Sequence, residues 1–366
     1  MATIMAWMGE NLFSSLKRAL PFFKGSDQYI CLDIGSHSIK ALEIGGTESP
    51  ILVQHAMATL PADMPSGSGI LQSPEVVLNG LKEIKAKLRS PTSQVLTSVP
   101  GPSVIIKKFS APSADKISVT VENEAQNLIP EALDNVRWDY AVLDPEEGQG
   151  EVEVLLAAVK REIVERTSDL IGRIGWEPVL IDVDYFAIEN LLEVLYPDQK
   201  GVVGLFSIGC RTSLIDILKN GRSAFRGDLS VGGMDLTEAL MADANLSYPE
   251  AERIKAEASR GGPASAQLAP IFGSATKNLI LELKRSLNLY WGFSTEDQIS
   301  TIYLCGGGAL VPELPRMMSE SLGVPVHVLD PLNAIRVSPM ARQELQPISP
   351  LLAVGVGLSF RRPGDR

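Results

Sequence analysis

The chain has 366 residues, 45% of them apolar and 21% charged, an ordinary globular balance with length enough for one bilobed molecule or two to three subdomains. A formal net charge of −11 leaves no basic surplus to neutralise a phosphodiester backbone, which excludes a general nucleic-acid binder. Cys31, Cys210 and Cys305 have no CxxC or zinc spacing, and His37, His55 and His327 are scattered; the cysteines read as small buried residues of a reducing compartment, and no metalloprotease pattern exists.

At the start, Ile4, Met8, Leu12, Leu16 and Leu20 recur every fourth residue, with Lys17, Arg18 and Lys24 late in the stretch. Residues 1–25 are too short and too polar to span a bilayer and lack the features of a signal peptide. Two readings stay open: an amphipathic helix in peripheral contact with a membrane or partner, and a helix packed on its own protein. Tyr29–Gly46 then reads as strand, polar turn, strand. The turn Asp33-Ile34-Gly35-Ser36-His37-Ser38 joins a bare-backbone glycine to hydroxyl donors, which suits a phosphate. Lys40 can set a positive charge beside that phosphate, and Asp33 can hold a hydrated Mg²⁺. By itself the pattern is also that of a plain β-hairpin.

Ile51–Leu60 continues the sheet, and Pro61–Gly69 is a loop. Pro74–Arg89 has helical spacing at Val77, Leu78, Leu81, Ile84 and Leu88, with Ser73 as cap and Pro74 at the first position. Gln94–Val99 and Val104–Phe109 are short strands. Ser118–Leu128 is a helix stopped by Pro130. Tyr140–Leu143 and Val152–Val159 are strands around the acidic turn Asp144–Gly150, and Lys160–Gly172 is a helix. Pro178–Tyr196 is a strand turning into a helix, with Asp182 and Asp184 at the turn. Asp184 is there either as a helix cap or for a Mg²⁺ or water.

The second half repeats the plan. Val202–Gly221 is again strand, turn and strand, with Ser207-Ile208-Gly209-Cys210-Arg211-Thr212 as the turn. Gly232 and Gly233 follow. Glu252 and Lys255 lie three apart on one helical face, where they can reach one ligand or simply pair with each other. Ser259–Ala269 is a small-residue loop, and Ile271–Leu289 a long helix striped by Leu279, Leu283 and Leu287. Ile302–Leu314 runs a strand into Gly306-Gly307-Gly308 and a helix with Pro312 in its first turn. Bare backbone there admits a flat base or ribose. Ser349–Phe360 is a closing helix. Two hairpins of one design suggest two related lobes closing on one ligand.

This order of phosphate hairpin, second phosphate hairpin and glycine-rich adenosine turn resembles the actin-like ATPase superfamily. From Gln28 to Phe360 the chain is most similar to the PilM family of type IV pilus assembly, itself related to FtsA. Glu124–Pro130, Trp138–Leu143, Leu155–Lys160 and Gly175–Ala187 carry that likeness. The resemblance implies an α/β fold: actin-like (ribonuclease H-like) and bilobed, with a small inserted FtsA/PilM-type α+β subdomain. The expected division is an arm over 1–25, a first lobe from 26–110, 176–199 and 337–366, an insertion over 111–175, and a second lobe over 200–336 whose outer part is 238–298.

It further implies ATP or ADP with Mg²⁺. The phosphates would be held by Asp33, Gly35, Ser36, His37, Ser38, Lys40, Ser207, Gly209, Cys210 and Arg211, and adenosine by Gly232, Gly233, Glu252, Lys255, Gly306, Gly307 and Gly308. Asp33 or Asp184 would serve Mg²⁺ or water, with no metal bound directly by the protein. The partner implied is a PilN-type inner-membrane protein, received through its cytoplasmic N-terminal segment where Val95–Lys108 faces Glu124–Val136. Other pilus motor components, a ring or a homo-oligomer, and a cytoplasmic place at the bacterial inner membrane belong to the same expectation. Members of the superfamily that hydrolyse nucleotide usually carry Asp where this chain has Ser207, so turnover is expected to be weak or absent. The same departure counts against a small-molecule kinase. An FtsA-like division filament would need an amphipathic C-terminal membrane helix that polar Arg361–Arg366 does not make, and a GspL-type secretion protein would continue into a transmembrane segment.

Overall fold

The computed structural model describes residues 28–46, 49–61, 72–112, 117–143, 150–259, 264–293 and 298–365. The expected arm over 1–25 lies outside them, as do most of the loops expected over 61–69 and 144–150. The chain opens with β1 (Gln28–Ile34), β2 (Ser38–Gly45), β3 (Ile51–Thr59), α1 (Pro74–Leu88) and β4 (Gln94–Val99). Next come β5 (Val104–Pro112), α2 (Ile117–Leu128), β6 (Val136–Leu143), β7 (Glu151–Lys160), α3 (Arg161–Arg173), β8 (Glu177–Val183) and α4 (Asp184–Leu195). The second half holds β9 (Val202–Ile208), β10 (Ser213–Lys219), β11 (Arg222–Leu229), α5 (Gly233–Ala244), α6 (Tyr248–Ser259) and α7 (Ala264–Phe293). It ends with β12 (Ile299–Cys305), α8 (Leu314–Leu322), β13 (Val326–Val328), α9 (Pro339–Leu345) and α10 (Ala353–Leu358).

Two five-stranded sheets have the same plan: β3-β2-β1-β4-β8 in the first half and β11-β10-β9-β12-β13 in the second. In each, an antiparallel hairpin meets a strand that runs parallel to the hairpin's first member. The duplication read from the two hairpins therefore extends over whole lobes. Alternation along each strand sorts its residues between two faces. On β1, Ile30 and Leu32 pack with Leu81 and Ile84 of α1 and Leu170 of α3, while Cys31 faces the other way. On β9, Phe206 and Ile208 pack toward α7, where Leu279, Leu283 and Leu287 form the expected stripe, and Val203 and Leu205 face back toward the first lobe. One continuous core joins the inward faces of both sheets through α4 and α10, where Ala187, Leu191, Ala353 and Val356 are buried.

The third sheet, β5-β7-β6, is the insertion. It has its own small core, with Val121 and Ala125 of α2 against Val154 and Leu156 of β7. The expected boundary at residue 111 falls inside β5, which pairs with β7 along its length from Val104↔Val159 to Pro112↔Glu151. The inserted sheet thus begins at Val104. At the other end, α3, expected inside the insertion, buries Leu170 and Ile171 against α1 in the first lobe.

Other boundaries move for local reasons. α7 starts at Ala264 and carries Pro270 inside it, so the second half of the stretch expected as a loop over Ser259–Ala269 is helical. The helix expected directly after the glycine run starts at Leu314, beyond a 3₁₀ turn over Gly307–Leu310 and the N-cap Glu313, whose φ of +63° separates the two, so Pro312 precedes the helix. The closing helix is split into a 3₁₀ stretch, Gln346–Leu352, and α10, since Pro347 and Pro350 lack the N–H groups an α ladder needs. Ser73 sits at the N-cap of α1 as expected, but its side chain accepts no bond there.

Candidate functional site

Both hairpin turns close with the same bond. Gly35 N–H donates to the Ser38 carbonyl at 3.1 Å, and Gly209 N–H to the Thr212 carbonyl at 3.0 Å. They face one cavity of about 390 Å³ between the lobes. From the first turn Asp33, Gly35, Ser36, His37, Ser38 and Lys40 line it; from the second, Ser207, Gly209 and Cys210. Gly233, Glu252, Lys255 and the Gly306–Gly308 run complete the wall expected for a nucleoside. Two expected contacts are not in the wall. Gly232 lies behind the second turn, where Gly233 and Met234 N–H groups donate to the carbonyls of Gly209 and Cys210; Arg211 is outside the lining too.

Charge is paired across this wall. Lys40 Nζ lies 2.9 Å from Asp33 Oδ2, both side chains largely buried, a consequence of their register on facing strands. Lys255 Nζ reaches Glu252 Oε1 at 2.5 Å, and it also donates to Thr237 Oγ1 at 2.6 Å and the Gly233 carbonyl at 3.2 Å. The Glu–Lys spacing thus makes an internal pair, and that pair stands in the cavity wall. Thr237 escaped the sequence reading. So did Tyr248, whose hydroxyl lies 3.5 Å from His37 Nδ1 on the opposite lobe. A signal for it existed, since Tyr248, Glu252 and Lys255 stand at i, i+4 and i+7 of one helix face. Burial pushes the His37 imidazole below its ordinary value, against the pull of Glu252 and together with Lys255 and Lys40. Burial also lifts the thiols of Cys31 and Cys305 to about 12, in keeping with small buried residues.

The residues fit a nucleotide. Gly306 adopts φ +80° and packs on β9, where a Cβ would stand 2.5 Å from the Ile208 carbonyl oxygen; at Gly307, in the cavity wall, a Cβ would meet nothing nearer than Leu351 Cγ at 3.9 Å, so bare backbone is open there to a base or ribose. Lys40 and Lys255 supply cations, and the paired turns supply backbone and hydroxyl donors. Among the described residues no His, Cys, Asp and Glu group is arranged to hold a metal ion.

Asp184 stands on the floor of the cavity at the first position of α4. Its Oδ1 accepts from Gly101 N–H at 2.7 Å and from Tyr185 N–H at 2.8 Å. It therefore does satisfy a first-turn N–H of the helix, and it faces the cavity as well. Burial lifts its carboxyl to about 7, the two N–H donors pull it back, and Asp33 and Asp182 push it further up. A folded-state value above the unfolded one means that the folded chain holds the proton more firmly. The stabilisation is complete below the ordinary aspartate range near ~4 and is lost as pH rises through that range to about 7. Relative to the parent chain, Asp184→Asn is therefore expected to gain several degrees of melting temperature between pH 5 and pH 8, measured by thermal denaturation. A difference independent of pH would refute the assignment.

Compared with known proteins, residues 31–363 match the model of the family described as type IV pilus assembly protein PilM. Among solved structures, the chain is similar to that of a PilM-PilN type IV pilus biogenesis complex, with a TM-score of 0.76 and 26% identity over 91% of this chain and 98% of that one. It is also similar to the ethanolamine utilization protein EutJ from Carboxydothermus hydrogenoformans, with a TM-score of 0.55 and 16% identity over 93% of this chain and 91% of that one. This second likeness is one of fold alone. No described helix is long and apolar enough to cross a membrane.

Proposed function

This chain belongs to the family of type IV pilus assembly protein PilM, and from that membership we propose that it is an actin-like, nucleotide-binding scaffold of the pilus machine. Its partner is a PilN-type inner-membrane protein, taken through that protein's cytoplasmic N-terminal segment, and its place is the cytoplasmic side of that membrane. The family match over residues 31–363 carries the reading, and the similarity to a PilM-PilN complex supports the choice of partner. For the docking place, the fold offers the neck between insertion and first lobe. A concavity of about 660 Å³ there is lined by Glu131 and Asn135 of the insertion and by Lys160, Arg161, Glu165 and Arg166 at and beyond its exit. Glu131 and Asn135 lie within the Glu124–Val136 stretch assigned to the partner.

In the cleft, Lys40 and Lys255 would meet phosphate and ribose oxygens, and Glu252 would accept from a ribose hydroxyl. Gly306–Gly308 would lie along the base. ATP with Mg²⁺ is the cofactor this wall suits; when bound, it supplies a γ-phosphoryl group open to attack by water. The duplicated sheets set Asp33-Ile34-Gly35 against Ser207-Ile208-Gly209, so Ser207 occupies in the second lobe the place that Asp33 holds in the first. A hydroxyl there supplies neither the negative charge nor the basicity of a carboxylate near neutral pH, and loss of general-base assistance typically lowers rates ~10²–10⁴-fold. Asp184 remains as the carboxylate able to orient water. The protein is thus a nucleotide-held scaffold with slow or no turnover.

The test is to purify the chain, denature it and identify released nucleotide. Mg-ATP is then titrated with and without a peptide of a PilN-type N-terminus while phosphate release is followed. Retained ATP or ADP, negligible release and tighter peptide binding with nucleotide are expected. Steady turnover would overturn the inference from Ser207, and failure to bind nucleotide would remove the cleft from the function.

A further inference from the structure

We infer that Asp184 is a positioning residue that ties the cleft to the inserted sheet by holding the Gly101 turn, so that occupancy of the cleft resets the pose of β5. The inference deepens the nucleotide reading above and rests on it. The chain leaves the first lobe at the end of β4, passes through a 3₁₀ turn over Gly101–Ser103, and becomes the first strand of the insertion at Val104. Pro100 precedes the turn and Pro102 is its middle residue, and their fixed φ angles leave it little freedom to absorb a displacement. Its one amide aimed at α4, Gly101 N–H, donates to Asp184 Oδ1, the same oxygen that accepts from Tyr185 N–H. Asp184, Pro100 and Pro102 all line the cavity. Contact at Gly101 is also close. A Cβ added there would lie 2.2 Å from the Tyr185 ring and 2.8 Å from Asp184 Oδ1, so the turn sits directly on the first turn of α4.

The same place engages the second lobe. Tyr185 hydroxyl donates to the Gly227 carbonyl of β11 at 2.7 Å, and Lys108 of β5 donates to the Ser223 carbonyl of the same strand at 2.8 Å. A shared apolar cluster fills the space between, with Val99, Leu155, Val183, Phe186 and Leu214 all buried. Insertion, α4 and second lobe are thus in contact at one junction, where Asp184 both lines the cavity and holds the Gly101 turn. A ligand that draws Asp184 toward the cleft pulls on Gly101, and Gly101 is three residues from the strand that begins the insertion.

Hydrogen–deuterium exchange of the full chain, with and without Mg-ADP or a non-hydrolysable Mg-ATP analogue, tests this. Protection of the two turns, 33–40 and 207–212, reports cleft occupancy. In the parent chain, exchange over 104–112 and 151–160 is expected to change about tenfold as well. Gly101→Ala, which wedges the turn off Tyr185, is expected to keep the response of the turns and lose that of the insertion. If Gly101→Ala does not fold, Asp184→Ala at saturating nucleotide, with occupancy read from the turns, makes the same comparison. Protected turns with an unmoved insertion in the parent chain overturn the inference while leaving nucleotide binding intact. Retention of the insertion's response in either variant overturns it too. No protection at the turns removes the nucleotide reading itself, and this inference with it.

Discussion

Replacement of Arg226 by Met is expected to destabilise the folded chain by about 3–5 kcal/mol, read from equilibrium denaturation. Arg226, on β11 of the second lobe, reaches Glu189 of α4 at 2.6 Å and Asp216 of β10 at 3.4 Å. Its guanidinium also lies over the Phe186 ring, 5.1 Å from the centroid. All three charged side chains are buried or nearly so. Burial and the neighbouring Glu189 push the Asp216 carboxyl well above the ordinary range, while Arg226 and a bond from Ser223 hold it down. Removing the one cation leaves two carboxylates facing each other away from water, a cost far above that of losing an exposed ion pair. Asp216→Asn in the Arg226→Met background should recover part of the loss, since it removes one of the two stranded charges. A loss under about 1 kcal/mol would show that water reaches the cluster and that the pairing contributes little.

Gly307→Asp is expected to weaken ATP binding about 100-fold or more without lowering the melting temperature, measured by titration with a fluorescent ATP analogue and by thermal denaturation. Its neighbours cannot make this test. A Cβ at Gly308 would fall 2.1 Å from the Ile208 side chain, and Gly306 combines φ +80° with contact to the Ile208 carbonyl. At Gly307 the nearest heavy atom to an added Cβ is Leu351 Cγ at 3.9 Å. A carboxylate fits there and points its charge into the cleft where phosphates and ribose oxygens are expected. Lys40→Ala should weaken binding in the same assay by removing the cation of the first turn. Unchanged affinity in Gly307→Asp would place the nucleotide elsewhere.

Both glycine turns, the duplication and the polar part of the cavity wall were legible in the sequence because they are local, whereas the apolar side formed by Pro347, Ile348, Leu351 and Val354 was not. Alternating apolar residues around a glycine turn specify a hairpin within some fifteen residues, and two such hairpins announce two lobes. What escaped depends on distant chain. Val104–Phe109 reads as a strand, yet nothing in it says that its partner is β7 rather than the first-lobe sheet. β11 went unread although it pairs with the second hairpin and brings Arg226 to α4. Glu189, Asp216 and Arg226 form no motif, since only the packing of two lobes brings them together. The roles of Asp184 were left open for the same reason: a carboxylate at a strand-to-helix turn caps the helix in any fold, and only the approach of Gly101 shows what else it holds.

The continuous core that runs through α4 and α10 changes how the molecule divides. Two lobes around a cleft suggest two units that could melt or be produced apart, with the weak point at the waist. Here Cys31 and Leu96 of the first sheet and Val203 and Leu205 of the second belong to the same buried cluster. A chain cut at the waist would expose both halves of that cluster to water, so the lobes are one cooperative block despite their duplicated architecture. The separate apolar cluster of Val121, Ala125, Val154 and Leu156 belongs to the insertion alone. The insertion is itself fastened to the block by a second cluster, with Leu155 and Val159 of β7 packed with Val183 and Phe186 of the first lobe and Leu214 of the second, so the part that a partner can loosen or remodel while the block that grips the ligand stays whole is the outer layer, α2 on the other face of β7.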